Sequence, residues 1–288
     1  MSKTRIGRGD GVTERTFHFN GQHWLLGQRT YIMGILNITP DSFSDGGRYL
    51  FPKSALKQAE TLISGGVDMV DIGGESTRPG HQPVAADEEW RRIAPILGEM
   101  KRRWPEIPIS VDTQKAIVAE WAIAEGADVI NDIQGGIADP EMIPVVAKSQ
   151  AGYILMFNRA TPFLPGQVNL DEMVNTLKSQ VAHALSLGLA GNRILIDPGV
   201  GFAYGVEDNW TVLKRLAMFS GIAGGVLVGP SRKRFLGAVT GALPQDRDWA
   251  TAAVASIAAG QGMDVVRVHE VSGIRQALLA ADRWWRHE

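Results

Sequence analysis

Short runs of apolar, often β-branched residues, most of them closed by Gly, Asn or Asp, recur along this chain and alternate with longer segments of helical period. The runs fall at 32–36, 68–72, 107–111, 128–130, 153–156, 193–196, 225–228 and 264–268. Their length and composition predict strands, and seven of the eight segments between or after them carry the three-to-four-residue spacing of amphipathic helices. The first two helices are expected over 53–64 and 86–103, the last over 272–283. Strands that alternate with helices lie parallel, and eight of them in a chain of this length predict an α/β fold closed as a (β/α)8 TIM barrel. An open doubly wound sheet is the alternative, but no G-x-G-x-x-G follows the first run, as a dinucleotide-binding fold requires.

Ahead of the first run, Phe17 and Phe19 alternate with polar residues, Asn20-Gly21 follows, and Trp24 and Leu26 resume the alternation. Asn-Gly between such arms predicts a two-residue hairpin capping the bottom of the barrel. The expected organisation is an N-terminal extension with that hairpin over 1–30 and one barrel over 31–288, without an internal linker or low-complexity tract.

Composition narrows the function classes. With 288 residues, 44% of them hydrophobic, the chain can bury one large core. Twenty-nine basic residues against 31 acidic ones leave a net charge of −2, so no global field draws nucleic acid or an anionic membrane, and any anion site must be built locally. The absence of cysteine excludes disulfides and thiolate metal sites and fits a reducing cytoplasm. Residues 1–16 are polar and charged, and no later run has the length of a membrane span, so a cytoplasmic protein is expected.

In a parallel barrel the chemistry sits where the strands finish. Those ends carry Asn37, Asp112, Asn131 with Asp132, Asp197, and Arg267 with His269. One polar residue at a strand end is ordinarily a cap or a turn residue. Five polar ends of eight, converging on one mouth, point to a ligand. Carboxylates and an amide together match the donors and acceptors of a 2-amino-4-oxopyrimidine. Arg267 and His269, two apart on a strand, share a face and are expected to grip one phosphate. The loop over 39–47 is rich in hydroxyls, acids and glycine. The loop over 73–80 reads as a mobile lid carrying one cation, and Ser231-Arg232-Lys233-Arg234 beside a helix start reads as an anion or carbonyl site.

At these residues a family resemblance becomes specific. Residues 32–47, Ile-Met-Gly-Ile-Leu-Asn-Ile-Thr-Pro-Asp-Ser-Phe-Ser-Asp-Gly-Gly, resemble the first signature of dihydropteroate synthases, and 71–80, Asp-Ile-Gly-Gly-Glu-Ser-Thr-Arg-Pro-Gly, resemble the second. Ser110-Val111-Asp112-Thr113, Ile130-Asn131-Asp132, 196–202, Ser231-Arg232-Lys233 and Arg267-Val268-His269 follow in the family's order, so the likeness spans about 31–275.

The resemblance implies a transferase of folate synthesis, the sulfonamide target, that joins p-aminobenzoate to a pterin diphosphate with loss of pyrophosphate. It implies that Asp112, Asn131 and Asp197 bind the pterin ring, that Met156 packs near it, and that Lys233 reaches its carbonyl and ring nitrogen. Asn37, Arg267 and His269 are implied to hold the diphosphate, with Mg2+ at Asn37 and Asp45. Phe43, Thr77, Arg78, Pro79 and Ser231 are implied to form the p-aminobenzoate site. Asp112, Lys233, Arg267 and His269 then carry catalysis by balancing charge, and no covalent intermediate is expected, since the chain has no cysteine and no Ser–His motif. A homodimer through helices late in the barrel is also implied, with Trp249, Trp284 and Trp285 as surface aromatics. The chain departs from the family pattern at Phe157, where a histidine is usual, at Pro230, and at Arg234, where a small residue is expected. Corrinoid-linked methyltransferase domains share the barrel and a similar Asp/Asn/Asp set, but they need neither the Arg267–His269 pair nor the Ser231-Arg232-Lys233 segment.

Overall fold

Eight parallel strands close on themselves in the order β10-β3-β4-β5-β6-β7-β8-β9. They are β3 (Tyr31–Asn37), β4 (Met69–Gly73), β5 (Ile109–Asp112), β6 (Val129–Asp132), β7 (Gly152–Met156), β8 (Ile194–Asp197), β9 (Gly225–Val228) and β10 (Val265–Val268). This computed structural model describes residues 14–39, 51–76, 82–159, 161–202 and 204–286. Around the barrel run α1 (Phe51–Ser64), α2 (Ala86–Arg103), α3 (Ala116–Ala124), α4 (Met142–Ala147), α5 (Leu170–Ser186), α6 (Val206–Leu213), α7 (Arg234–Thr240), α8 (Asp248–Ala259) and α9 (Ser272–Trp285). Seven strand-to-strand crossings and the chain end each carry helix; the crossing from β9 to β10 carries two, α7 and α8. The expected (β/α)8 barrel is the observed fold.

Local physics favours these elements where they stand. α2 opens with Asp87, Glu88 and Glu89, closes with Lys101, Arg102 and Arg103, and so complements its own dipole at both ends. Its buried positions, Glu89, Ile93, Ile96, Leu97 and Met100, recur every three to four residues and press on the sheet. At the bottom of the barrel, aspartates just before three strands pin the neighbouring strand. Asp68 Oδ2 accepts the Ile32 amide (2.8 Å), Asp128 Oδ2 that of Ile109 (2.8 Å) and Asp264 Oδ2 that of Val226 (3.0 Å).

Side chains of the strands divide by parity, as a period of two requires. Ile32, Leu36, Val70, Ile72, Val111, Ile130, Leu155 and Val268 face outward to the helices in one core cluster. Met33, Met69, Val129, Ile154, Leu195, Leu227 and Val265 face inward in a second, smaller cluster that fills the lower barrel. The hairpin completes that inner cluster. β1 (Thr16–Phe19) and β2 (Gln22–Leu25) pair antiparallel across Asn20 (φ 42°) and Gly21 (φ 75°), the two positive values of a type I′ turn. Phe17, Phe19, Trp24 and Leu26 plug the barrel floor. A Cβ on Gly152 would stand 2.6 Å from the Phe17 ring, and one on Gly225 2.5 Å from Leu26, so the strands β7 and β9 start with glycine because the plug needs the room.

Candidate active site at the barrel mouth

Two residues above the apolar inner layer, on the same strands and the same face, the side chains turn polar. Met69 is followed by Asp71, Val129 by Asn131, Leu195 by Asp197 and Val265 by Arg267. Parity alone aims all four into the barrel, above a floor that excludes water. The ladder register aligns Asn37 with Gly73, Gly73 with Asp112, and Asp112 with Asn131. On the opposite side it aligns Met156 with Asp197. Several of these polar residues were expected just past the strands. They are the last strand residues, because their inward side chains let the backbone ladder continue to the mouth.

At the centre lies Arg267. Its Nε donates to Asp71 Oδ2 (2.6 Å) and its Nη2 to Asp112 Oδ2 (2.7 Å), while Asn131 Nδ2 donates to Asp71 Oδ2 (3.1 Å). Arg267 is thus engaged by two carboxylates. Asp71 is fully buried and its other oxygen, Oδ1, has no hydrogen-bond partner. No role was expected for Asp71; the signal available was a carboxylate inside an apolar strand run, which a buried position tolerates only with a partner.

Burial sets the electrostatics. It drives the Asp112 carboxyl up to about 7, with Arg267 pulling down and Asp71 adding to the rise. Asp197 is pushed up to about 6 by burial, against the Gly199 amide and the nearby Lys233. Lys233 is pushed down to about 7 by burial, with Asp197 opposing. Burial also works against the Arg267 charge, but Asp71 and Asp112 outweigh it and hold the guanidinium above its ordinary value. The mouth therefore holds acids and a base poised near neutrality, where a bound ligand decides their charge.

The basic run after β9 separates by direction. Arg232 takes a left-handed backbone (φ 58°) and pairs bidentately with Asp248 at the start of α8 (2.8 and 2.7 Å), and Arg234 is exposed. Lys233 alone turns into the mouth. Its Nζ donates to the Val200 carbonyl (2.8 Å) and lies 3.8 Å from the centre of the Phe202 ring. Two glycines in the segment after β8 make this possible. A Cβ on Gly201 would meet the Lys233 stem at 2.2 Å, and one on Gly199 the Phe157 carbonyl oxygen at 2.3 Å. Ser231 and His269 meet, with Ser231 Oγ and His269 Nδ1 2.9 Å apart and the His269 amide donating to the same Oγ (3.1 Å). The sequence shows no Ser–His motif, yet folding makes such a contact. Its geometry orients the imidazole, since the hydroxyl is shared between ring and main chain of one residue.

Two neighbours prove structural. Asp132, beside Asn131, faces away from the mouth and accepts from Tyr153 Oη (2.7 Å) and the amides of Gln134 and Gly136 (2.8 and 2.6 Å). Phe157, the departure from a usual histidine, is buried with its ring parallel to those of Phe163 and Tyr204, 6.3 and 6.4 Å away, and so packs outside the mouth. Phe43, Asp45, Thr77, Arg78 and Pro79 lie outside the described residues. The fold thus brings together Asn37, Asp112, Asn131, Met156, Asp197, Lys233 and Arg267, with the Ser231–His269 pair at the same end.

Comparison with known proteins places the chain in a family. The model of the pterin binding enzyme family matches residues 33–269. A dihydropteroate synthase of Synechocystis is 42% identical over 266 residues, covering 90% of this chain and 92% of its own. The chain belongs to the dihydropteroate synthase family. Two solved structures of the family superpose closely. The Clostridium difficile enzyme, determined in the presence of pteroic acid, has a TM-score of 0.87 at 39% identity and covers 91% of this chain and 98% of its own. The Xanthomonas albilineans dihydropteroate synthase with 4-aminobenzoic acid has a TM-score of 0.87 at 36% identity, with coverage of 93% and 97%. Membership in the dihydropteroate synthase family makes the chain a transferase.

Proposed function

We propose that the mouth binds 6-hydroxymethyl-7,8-dihydropterin diphosphate and condenses it with p-aminobenzoate, giving 7,8-dihydropteroate and pyrophosphate. The observation that carries this reading is the polar layer above the apolar floor, in which Asp112, Asn131 and Asp197 from three strand ends converge with Lys233 from the start of α7. An ionised Asp197 accepts from the pterin's exocyclic amine and ring N–H, Asn131 supplies both a donor and an acceptor, and Lys233 donates to the carbonyl and ring nitrogen. Met156, in register with Asp197, packs against the ring. The p-aminobenzoate side is assigned to Phe43, Thr77, Arg78, Pro79 and Ser231.

Reaction breaks the bond from the pterin's methylene carbon to the diphosphate oxygen and forms one from that carbon to the arylamine nitrogen, which then loses a proton. Positive charge develops in the ring as pyrophosphate departs. Asp112, joined to Asp71 through Arg267, faces that charge, and the cationic Arg267 with His269 balances the leaving group. Since Arg267 is engaged by two carboxylates, His269 and Asn37 meet the terminal phosphate more directly.

Asn37 Oδ1 and Asp112 Cβ flank Gly73, 3.6 and 3.7 Å from where a Cβ there would stand. Among the described residues no group of three or more His, Asp or Glu side chains could hold a metal by itself. A lone amide oxygen with no carboxylate cluster around it fits Mg2+ held mainly by a substrate diphosphate, with Asn37 as one ligand and Asp45 as the second. When bound, the ion neutralises the leaving diphosphate.

Among the described residues no helix is long and apolar enough to cross a membrane, and a cytoplasmic location suits a cysteine-free enzyme of this class. We also read the exposed apolar side chains of α7 to α9 as a homodimer surface, since Val239, Leu243, Trp249, Ile257 and Trp284 are each more than half exposed there.

The deciding experiment follows pyrophosphate release by the purified protein. Release should require the pterin diphosphate, p-aminobenzoate and Mg2+ together. Release without p-aminobenzoate would instead indicate a pterin-binding hydrolase.

A further inference from the structure

Asp71 is a costly residue for its position. It is fully buried in the middle of β4, between Val70 and Ile72, and its Oδ1 has no hydrogen-bond partner among the described residues. A buried carboxylate oxygen left unpaired lowers stability, so the reason for an acid there is sought in what its other oxygen does.

That oxygen, Oδ2, accepts from Arg267 Nε (2.6 Å) and from Asn131 Nδ2 (3.1 Å). In the closed sheet Arg267 stands on β10, two strands to one side of β4, and Asn131 on β6, two strands to the other. One atom therefore ties together residues from both sides, the first assigned above to the leaving diphosphate and the second to the pterin.

For Asn131 this bond decides more than distance. A carboxamide has a donor end and an acceptor end of nearly the same shape and can be turned over. A carboxylate salt-bridged to Arg267 offers acceptors only. Turned over, Asn131 would set its own oxygen against Asp71 Oδ2, so Nδ2 must face it. The order of donor and acceptor that Asn131 presents to a ligand is thus fixed by Asp71. The Asn131 backbone is held separately, by its ladder partners Asp112 and Ile154 and by the Thr113 amide donating to its carbonyl (3.1 Å). Arg267, for its part, sets one positive charge against two carboxylates, Asp71 and Asp112. Neutralising position 71 leaves it paired with Asp112 and strands no buried ion.

We propose that Asp71 is a positioning residue for the condensation: through Oδ2 it holds Asn131 in the one amide orientation that reads the pterin edge, and holds Arg267 where it balances the departing diphosphate. This rests on the condensation reading above.

The test compares wild type with Asp71→Asn, which keeps the size and an acceptor oxygen but lets either end of the Asn131 amide face position 71. The ligand is bare 6-hydroxymethyl-7,8-dihydropterin, titrated by calorimetry at about pH 8, where Asp112 is ionised in both proteins. Its Kd should rise about tenfold in the variant, and kcat for pyrophosphate release should fall by a similar factor. In an Asn131→Ala background the same substitution should change the pterin Kd by no more than about twofold, because the residue through which Asp71 acts is gone.

A pH profile separates positioning from mere filling of space. Asp112 is faced by Arg267 from β10, Asp71 from β4, Asp132 from β6 and Glu89 from α2, with Lys233 across the mouth. Glu89 is itself paired with Lys115 at the start of α3, which also holds Glu75. Asp71→Asn takes a like charge away from Asp112 and leaves Arg267 to it alone, so Asp112 ionises at lower pH. The acid limb of pterin binding should move down by about half a unit or more. Asp71→Ser, smaller and uncharged, serves if Asp71→Asn does not fold, and should weaken the pterin at least as much. A folded variant in which the pterin Kd, kcat or the acid limb is unchanged overturns the proposal, as does an equal loss in the Asn131→Ala background. Wild type run alongside separates the two readings. If it neither binds the bare pterin nor releases pyrophosphate, the functional reading fails and this inference with it; an active wild type beside an indifferent Asp71→Asn sinks this inference alone.

Discussion

A carboxylate on a strand near the mouth has its chemistry set in part by what lies two residues below it. Asp197 stands above Leu195 and Asp71 above Met69, so each acid emerges from an apolar floor that cannot solvate its charge. Lys233 shows the same effect in reverse. A pH dependence of binding follows, with its sign fixed by the direction of each shift. In the free protein burial lifts Asp197 to about 6 and Asp112 to about 7, and pterin N–H donors favour their ionised forms, so binding expels protons at acid pH. Affinity for a bare pterin should therefore weaken as pH falls through that range, by up to about tenfold per unit for each proton expelled. Lys233, pushed down to about 7, donates best while protonated, so affinity should also decline as pH rises above its pKa. Calorimetric titration from about pH 5 to 9 should trace a bell centred near neutrality. A flat profile would remove these groups from the pterin edge. Asp71 was not legible as a site residue, because its importance lies in Arg267, which is 196 positions away in sequence and pairs with it across the barrel.

Elements explain how such residues are delivered. The alternation of apolar runs with helical segments was enough to place all eight strands, within two residues at either end. The hairpin was equally legible, since Asn20-Gly21 between alternating arms has few other solutions. Where it docks could only be anticipated in outline. The details come from its tip, with the Asn20 amide donating to the Gln150 carbonyl (2.8 Å) and Asn20 Nδ2 to that of Ala127 (3.1 Å). Phe17 is fully buried against Gly152, so Phe17→Ala should empty the floor and destabilise the fold by about 3–5 kcal/mol. The plug lies at the opposite end of the strands from the mouth. Chemical denaturation should record that loss while KM for either substrate, measured well below the new melting point, stays near wild type. A large KM change in the folded variant would mean that floor and mouth are coupled. The crossing from β9 to β10 illustrates the other case. Three consecutive bases looked alike in sequence, and only α8, through Asp248 and through Arg247 donating to the Arg232 carbonyl (3.0 Å), turns Arg232 aside and leaves Lys233 aimed inward.

For the whole molecule, the described surface is asymmetric. Trp249 and Trp284, 85% and 74% exposed, sit on α8 and α9, which pack on one another at the late side of the barrel. Exposed aromatics of this size on two adjacent helices are the basis of the homodimer reading proposed above. The protein should sediment as a dimer at micromolar concentration, roughly the regime of a standard-sized interface. Trp249→Glu with Trp284→Glu should yield monomers, and with both side chains in water the folded monomer itself should change by no more than about 1 kcal/mol. A wild-type monomer at high concentration, or a dimer unaffected by the double substitution, would reassign that face.

The sequence by itself determined the barrel and most of the residues gathered at its mouth. Apolar periodicity is local, parity along a strand is unavoidable, and a polar residue of inward parity at the end of a buried strand has one mouth to enter. It also carried the family resemblance, because the signatures are contiguous stretches. What only tertiary structure decided are the pairings across the barrel. Asp71 with Arg267, Ser231 with His269, and Lys115 with Glu75 and Glu89 join residues from different elements, and no spacing encodes them. Charge states belong to the same class, since the shifts of Asp112, Asp197 and Lys233 arise from desolvation, which exists only once the floor has closed beneath them.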